Sequence, residues 1–141
     1  MSTKIFTPQP VWTDGIVIIR ICTGILIVMF GKEIFDGALM TDYGKFLQDA
    51  GFPAPHFMAY LAKLVELAGG CLLILGLFTR LIVFPLMFTM AVIIWHMSEG
   101  NFFNGGTAST FLLLFLLFFF TGPGRYSLDY VFFGKRGQAS I

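Results

Sequence analysis

The chain is poor in charge: 12% of its 141 residues are Asp, Glu, Lys or Arg. With 57% hydrophobic residues beside that, it has too little polar material to coat a set of buried helices in water. A net charge of +1, with no basic tract and no run of Arg interleaved with aromatics, excludes nucleic acid as a partner. Histidine is scarce as well. His56 and His96 stand in no His-x-x-Glu or His-Glu-x-x-His arrangement, so no metal centre is expected. Cys22 and Cys71 form no Cys-x-x-Cys pair and fall inside apolar stretches. They read as small buried hydrophobes rather than activated thiolates. The N-terminus lacks a short apolar core followed by a small-residue cleavage site, so the first apolar stretch is expected to stay as a spanning helix.

What is abundant is long hydrophobic sequence. Apolar stretches occupy about 15–35, 57–78, 81–98 and 103–121, the last centred on the phenylalanine-rich run 111–120. Each reaches roughly 17–25 residues, which at about 1.5 Å rise per residue crosses a hydrocarbon core of about 30 Å. The expected fold is all-α: a polytopic transmembrane four-helix bundle forming one membrane domain over 1–141, with lipid bilayer as its main partner. Residues 122–141, rich in aromatics and opened by Gly122-Pro-Gly-Arg125, are expected to lie along the interface.

The connections carry their own signals. Trp12 suits the membrane interface and Asp14 is placed to cap the first helix. Tyr43–Ala50 is expected as a short interfacial helix with Phe46 and Leu47 toward lipid, and Gly51-Phe-Pro-Ala-Pro55 as an extended entry into the second stretch. Thr79-Arg80 reads as the whole turn between the second and third stretches, which makes those antiparallel neighbours. Four spans put both termini and that turn on one side, with Lys4, Arg80, Arg125, Lys135 and Arg136; the other side has Lys32 and Lys45. This excess predicts cytoplasmic N- and C-termini. Gly24 and Gly31, and Gly69 and Gly76, repeat at seven residues and predict close helix approach, with Gly24 against Gly69.

Ionisable groups inside a span cost roughly 2.5–3.5 kcal/mol each near the centre, so each needs a reason. Counted by helical rise from the cytoplasmic end, Lys32, Lys63 and His96 come from three stretches yet all fall about 24–27 Å up, in one outer layer. Glu66 lies one turn from Lys63 on the same face, at about 19 Å, and is the deepest carboxylate. It must pair with Lys63 or Arg20, stay protonated or face a wet cavity. Arg20, about 9 Å from the cytoplasmic end, either reaches inward toward Glu66 or snorkels to headgroups. Lys32 and Glu33 read first as interfacial anchors.

Two blocks carry a resemblance: Glu66-Leu-Ala-Gly-Gly-Cys-Leu-Leu-Ile-Leu-Gly-Leu-Phe-Thr-Arg80 and Gly122-Pro-Gly-Arg-Tyr-Ser-Leu-Asp129. With Arg20 and Gly24 early, Gly51-Phe-Pro-Ala-Pro55 before the second stretch and His96 late in the third, the chain resembles the DoxX family of small four-helix bacterial membrane proteins over roughly 14–133. The matching motif positions are Glu66, Gly69, Gly70, Thr79, Arg80, Gly122, Pro123, Gly124, Arg125, Ser127 and Asp129. The resemblance implies a multi-pass protein of the bacterial inner membrane linked to redox assemblies. Relatives form the small subunit of a thiosulfate:quinone oxidoreductase. One departure stands out: many relatives carry a His-Gly pair near the end of the first helix, and here Phe30 precedes Gly31.

The leading expectation is therefore an accessory or quinone-interacting subunit of a membrane oxidoreductase. Glu66, Lys63, His96, Arg20 and Lys32 would form a ligand-binding or proton-relay layer. The sequence has no haem, iron-sulfur or nucleotide pattern, so no intrinsic cofactor is expected; electrons would come from a bound quinone or a redox partner protein. The rivals are a non-catalytic membrane scaffold or assembly factor, and a small-molecule carrier that would have to work as a homo-oligomer.

Overall fold

The computed structural model describes residues 13–134. Its elements are five α-helices: α1 (Ile16–Gly31), α2 (Gly37–Asp49), α3 (Pro55–Leu75), α4 (Thr79–Met97) and α5 (Thr107–Thr121). The expectations for Lys4, Trp12, Lys135 and Arg136 fall outside the described residues. α3 and α4 are long and apolar enough to cross a membrane, while α5 is apolar but shorter. α1 itself stops at Gly31, but 3-10 turns at Thr13–Gly15 and Lys32–Phe35 prolong it at both ends. Asp14 lies in the first of these turns, and no side chain caps α1.

Inward residues recur every three or four positions, as a helix face demands. They are Val17, Arg20, Gly24, Ile27 and Gly31 in α1, and Ala59, Lys63, Glu66, Gly70 and Leu73 in α3. Val83, Leu86, Met90 and Ile94 of α4 meet Phe111, Phe115 and Phe118 of α5 in the core. The outward faces are apolar too: Ile18, Leu26, Leu64, Phe88, Leu113 and Phe120 are all exposed. A chain that buries Arg20, Lys63 and Glu66 while displaying such residues is arranged for an apolar surrounding.

α1 and α3 run antiparallel in close contact. A Cβ on Gly70 would lie 2.8 Å from the Val28 amide and 2.9 Å from the Gly24 carbonyl, and one on Gly31 would overlap the Leu67 backbone. The expected Gly24–Gly69 contact is thus a Gly24–Gly70 contact. Gly69 instead faces Leu86 of α4. Cys22 and Cys71 are exposed, not buried, because Cys22 lies two residues, or about 200°, from the inward Arg20, and Cys71 about 100° from the inward Gly70.

The connections differ from their sequence readings in three places. α2 is longer than expected; Asp36 begins it by accepting from the amides of Ala38 (3.0 Å) and Leu39 (3.2 Å). Ala54, expected extended before Pro55, is left-handed (φ 49°). The α3–α4 turn is Gly76-Leu77-Phe78, and Thr79 and Arg80 are the first residues of α4. Gly76 has φ 68°, and a Cβ there would lie 2.9 Å from the Arg20 guanidinium carbon. Both the left-handed cap and that approach require glycine.

Candidate functional site

Polar side chains gather at two ends of the molecule. At the first, the Lys63 ammonium lies 2.9 Å from Glu66 Oε2 and 3.0 Å from Glu33 Oε2. Its remaining proton points toward the Phe30 carbonyl at 3.5 Å. The Tyr43 hydroxyl donates to the same Glu33 oxygen at 2.7 Å, and its ring lies 4.6 Å from the ammonium. Lys63 and Glu66 are buried, and Glu33 is half-buried beside a surface groove of about 560 Å³ that Lys32, Phe35 and Leu39 also line. Burial, then the hydrogen bond to Glu33, pushes the Tyr43 phenol above its ordinary value.

The register of three elements makes this cluster. Lys63 and Glu66 are three apart on α3 and share a face. Gly31 lets α1 approach α3 closely enough to deliver Glu33 from the turn that follows. α2 then folds over the first half of α3, where Gly44 accommodates the His56 ring and brings Tyr43 in.

The set gathered around Lys63 differs from the expected layer of Lys32, Lys63 and His96. Lys63 and Glu66 pair as one of the readings had it. Lys32 is exposed, and its neighbour Glu33 enters the cluster instead, because one residue along a 3-10 turn rotates the side chain by about 120°. His96 packs edge-on against Phe52 (5.0 Å) and Phe46 (6.5 Å), which turns Phe46 away from its expected lipid-facing role. Glu33 and Tyr43 were missed as site residues. The signal for Glu33 is its place beside Lys32 near the end of the first stretch; nothing in the sequence singles out Tyr43, which only the packing of α2 brings in.

At the second end the two motif blocks meet. Arg20 is buried, and its guanidinium donates to the carbonyls of Pro123 and of Tyr126, the latter at 2.9 Å. It neither reaches Glu66 nor snorkels. Asp129 accepts from the amides of Phe78 (2.7 Å) and Thr79 (2.9 Å), capping α4, while its own amide donates to the Gly76 carbonyl at 2.9 Å. Ser127 donates to the Gly124 carbonyl (2.7 Å) and accepts from the Tyr130 amide (3.1 Å), which closes the turn. The segment 122–129 is thus a strap across the α3–α4 turn, locked by Arg20.

The sequence pattern of DoxX matches residues 15–99. The chain belongs to the DoxX family. Among its relatives, CatD of Bacillus subtilis, whose name makes it a candidate oxidoreductase, is 33% identical over 86% of this chain and 90% of its own. The inner membrane protein YphA of Escherichia coli is 31% identical over 81% of this chain and 87% of its own. An uncharacterised protein of Haemophilus influenzae is 43% identical over 55% of this chain, which spans 64% of that protein. No solved structure matches the chain. As a DoxX protein it is a membrane protein, and the strap lies wholly beyond the region that the family pattern covers.

Proposed function

We propose that this DoxX protein is a four-span, multi-pass inner-membrane subunit of a redox assembly, with both termini cytoplasmic, and that Glu33, Lys63, Glu66 and Tyr43 form its proton-exchanging site. The observation that carries this reading is the cluster's composition. Two carboxylates share one buried ammonium, and one of them, Glu33, borders an open groove. Such a cluster is one charge short of neutrality, so it takes up and releases a proton at low cost. Glu33 links the groove to sealed Glu66 through Lys63. The name of the B. subtilis relative supports the redox context.

A quinone fits the groove chemically. Lys32 is exposed and meets no carboxylate within ion-pair distance among the described residues, so its ammonium is available to a carbonyl oxygen, and Phe35 and Leu39 offer apolar walls. When bound, the quinone would supply the electron-accepting ring. Lys32 would orient it, and Glu33 and Lys63 would hold the proton beside it.

The scaffold reading has its own support: each proton of the Lys63 ammonium has an acceptor, in Glu66, Glu33 and the Phe30 carbonyl. Glu66→Gln separates the two. As a relay residue, its replacement leaves thermal stability in detergent near wild type while quinone retention or proton-linked activity falls. As a structural ion pair, its loss takes one acceptor from the buried Lys63 ammonium while Glu33 still balances the charge, and costs about 1–3 kcal/mol of stability. A large loss of stability would defeat the relay, and unchanged stability with unchanged quinone retention would defeat both readings.

A further inference from the structure

We infer that the groove beside the 122–129 strap binds the phosphate headgroup of an anionic phospholipid through Arg80 and Arg125. This groove, about 730 Å³, lies at the opposite end of α3 from the Lys63 cluster and has taken no part in the function proposed above. Arg80 and Arg125 both line it, both are exposed, and neither meets a carboxylate within ion-pair distance among the described residues. The nearest acid, Asp129, has both oxygens committed to the backbone amides that open α4, so it offers little compensation to either guanidinium. Arg80 lies across the face of Gly122, where a Cβ would come within 3.3 Å of Nη2, and the φ of 77° there further favours glycine. The guanidinium beside the strap is a planar donor, the kind that matches phosphate oxygens in pairs.

The remaining walls argue for a lipid rather than a free anion. Phe78, Leu81, Tyr130 and Phe133 are all exposed and apolar or aromatic, and the Phe78 and Phe133 rings lie 6.2 Å apart beside the arginines. A soluble phosphate gains nothing from such walls. An acyl chain below a headgroup buries them. Basic groups at the mouth of a membrane helix pair are the arrangement that holds acidic headgroups at the cytoplasmic leaflet, each cation contributing about a fivefold gain in binding.

The test uses full-length protein purified in detergent, with native mass spectrometry of retained lipid during titration with phosphatidylglycerol, phosphatidylcholine or inorganic phosphate. Wild type is expected to retain phosphatidylglycerol in preference to phosphatidylcholine, with the preference weakening as salt rises. The double variant R80Q/R125Q is expected to bind it about thirtyfold more weakly, and Lys45→Gln, at the other end, to match wild type. Should the double variant fail to fold, the headgroup preference and salt response of the wild-type protein decide. Equal retention of the two lipids, or unchanged binding in a folded R80Q/R125Q, overturns the inference. Displacement of the lipid by millimolar inorganic phosphate would reassign the groove to a free anion and overturn it as well. None of these outcomes bears on Glu66, so this inference and the proton-exchange reading stand or fall separately.

Discussion

Arg20 and Lys63 show two ways of keeping a cation inside an apolar molecule. Lys63 is neutralised by carboxylates, whereas Arg20 spends its protons on backbone carbonyls of a segment 103 to 106 residues away. Replacing Arg20 with Met strands both carbonyls and removes two charge-assisted hydrogen bonds, so the variant is expected to lose roughly 3 kcal/mol or more of stability in detergent-monitored thermal unfolding. Arg20→Lys, which keeps one of the bonds, should lose less. Tyr43 bears on pH. Its phenol sits above the ordinary value of 10.0, first through burial and then through Glu33. A group raised in the folded state gives stability that is complete below its unfolded value and is lost as pH climbs toward and past the folded one. The protein is therefore expected to weaken above pH 10, and Tyr43→Phe to remove that part of the alkaline loss in thermal scans taken from pH 8 to 11.

Helix approach sets where these residues can meet. Gly24, Gly31 and Gly70 bring α1 onto α3 backbone to backbone, and without that closeness Glu33 would not reach Lys63. A Cβ at Gly70 would collide with the Val28 amide and the Gly24 carbonyl, neither of which is the flexible end of a side chain. Gly70→Ala is expected to cost about 1–3 kcal/mol of thermal stability. Gly37→Ala, with open space around its Cβ, serves as the control and should change little. Part of this element logic is legible in the sequence: Lys63 and Glu66 share a face by their spacing, and the glycine pairs announce a close contact. The partner glycine is not, since Gly69 and Gly70 differ by about 100° around one helix and only the rotation of α3 chooses between them.

At the scale of the molecule, the balance of charge differs between the two ends of the bundle, acids outnumbering Lys32 and Lys45 around α2. Glu33, Asp36, Asp42 and Asp49 lie in or beside α2, while Arg80 and Arg125 sit at the strap end. With the proposed four spans, the strap end faces the cytoplasm. A reporter fused after Ile141 is expected to be active when it requires the cytoplasm and silent when it requires the periplasm; the reverse pattern would invert the orientation. The two proposed chemistries, proton exchange around Lys63 and headgroup capture at the strap end, are set apart by about half the length of α3.

Composition and long apolar stretches by themselves determined the apolar setting and the helical class, and the motif blocks 66–80 and 122–129 carried the resemblance to DoxX, because each of these depends on which residues occur and in what order along the chain. The tertiary structure alone decided that Glu33 rather than Lys32 completes the Lys63 cluster, that His96 belongs to Phe46 and Phe52, and that Arg20 belongs to the strap. Each of those choices depends on the rotation of one helix against another or on a contact between segments distant in the chain. A side chain turns by about 100° for every residue, so a register difference of one position exchanges one partner for another while leaving the hydrophobic pattern that a sequence displays almost unchanged.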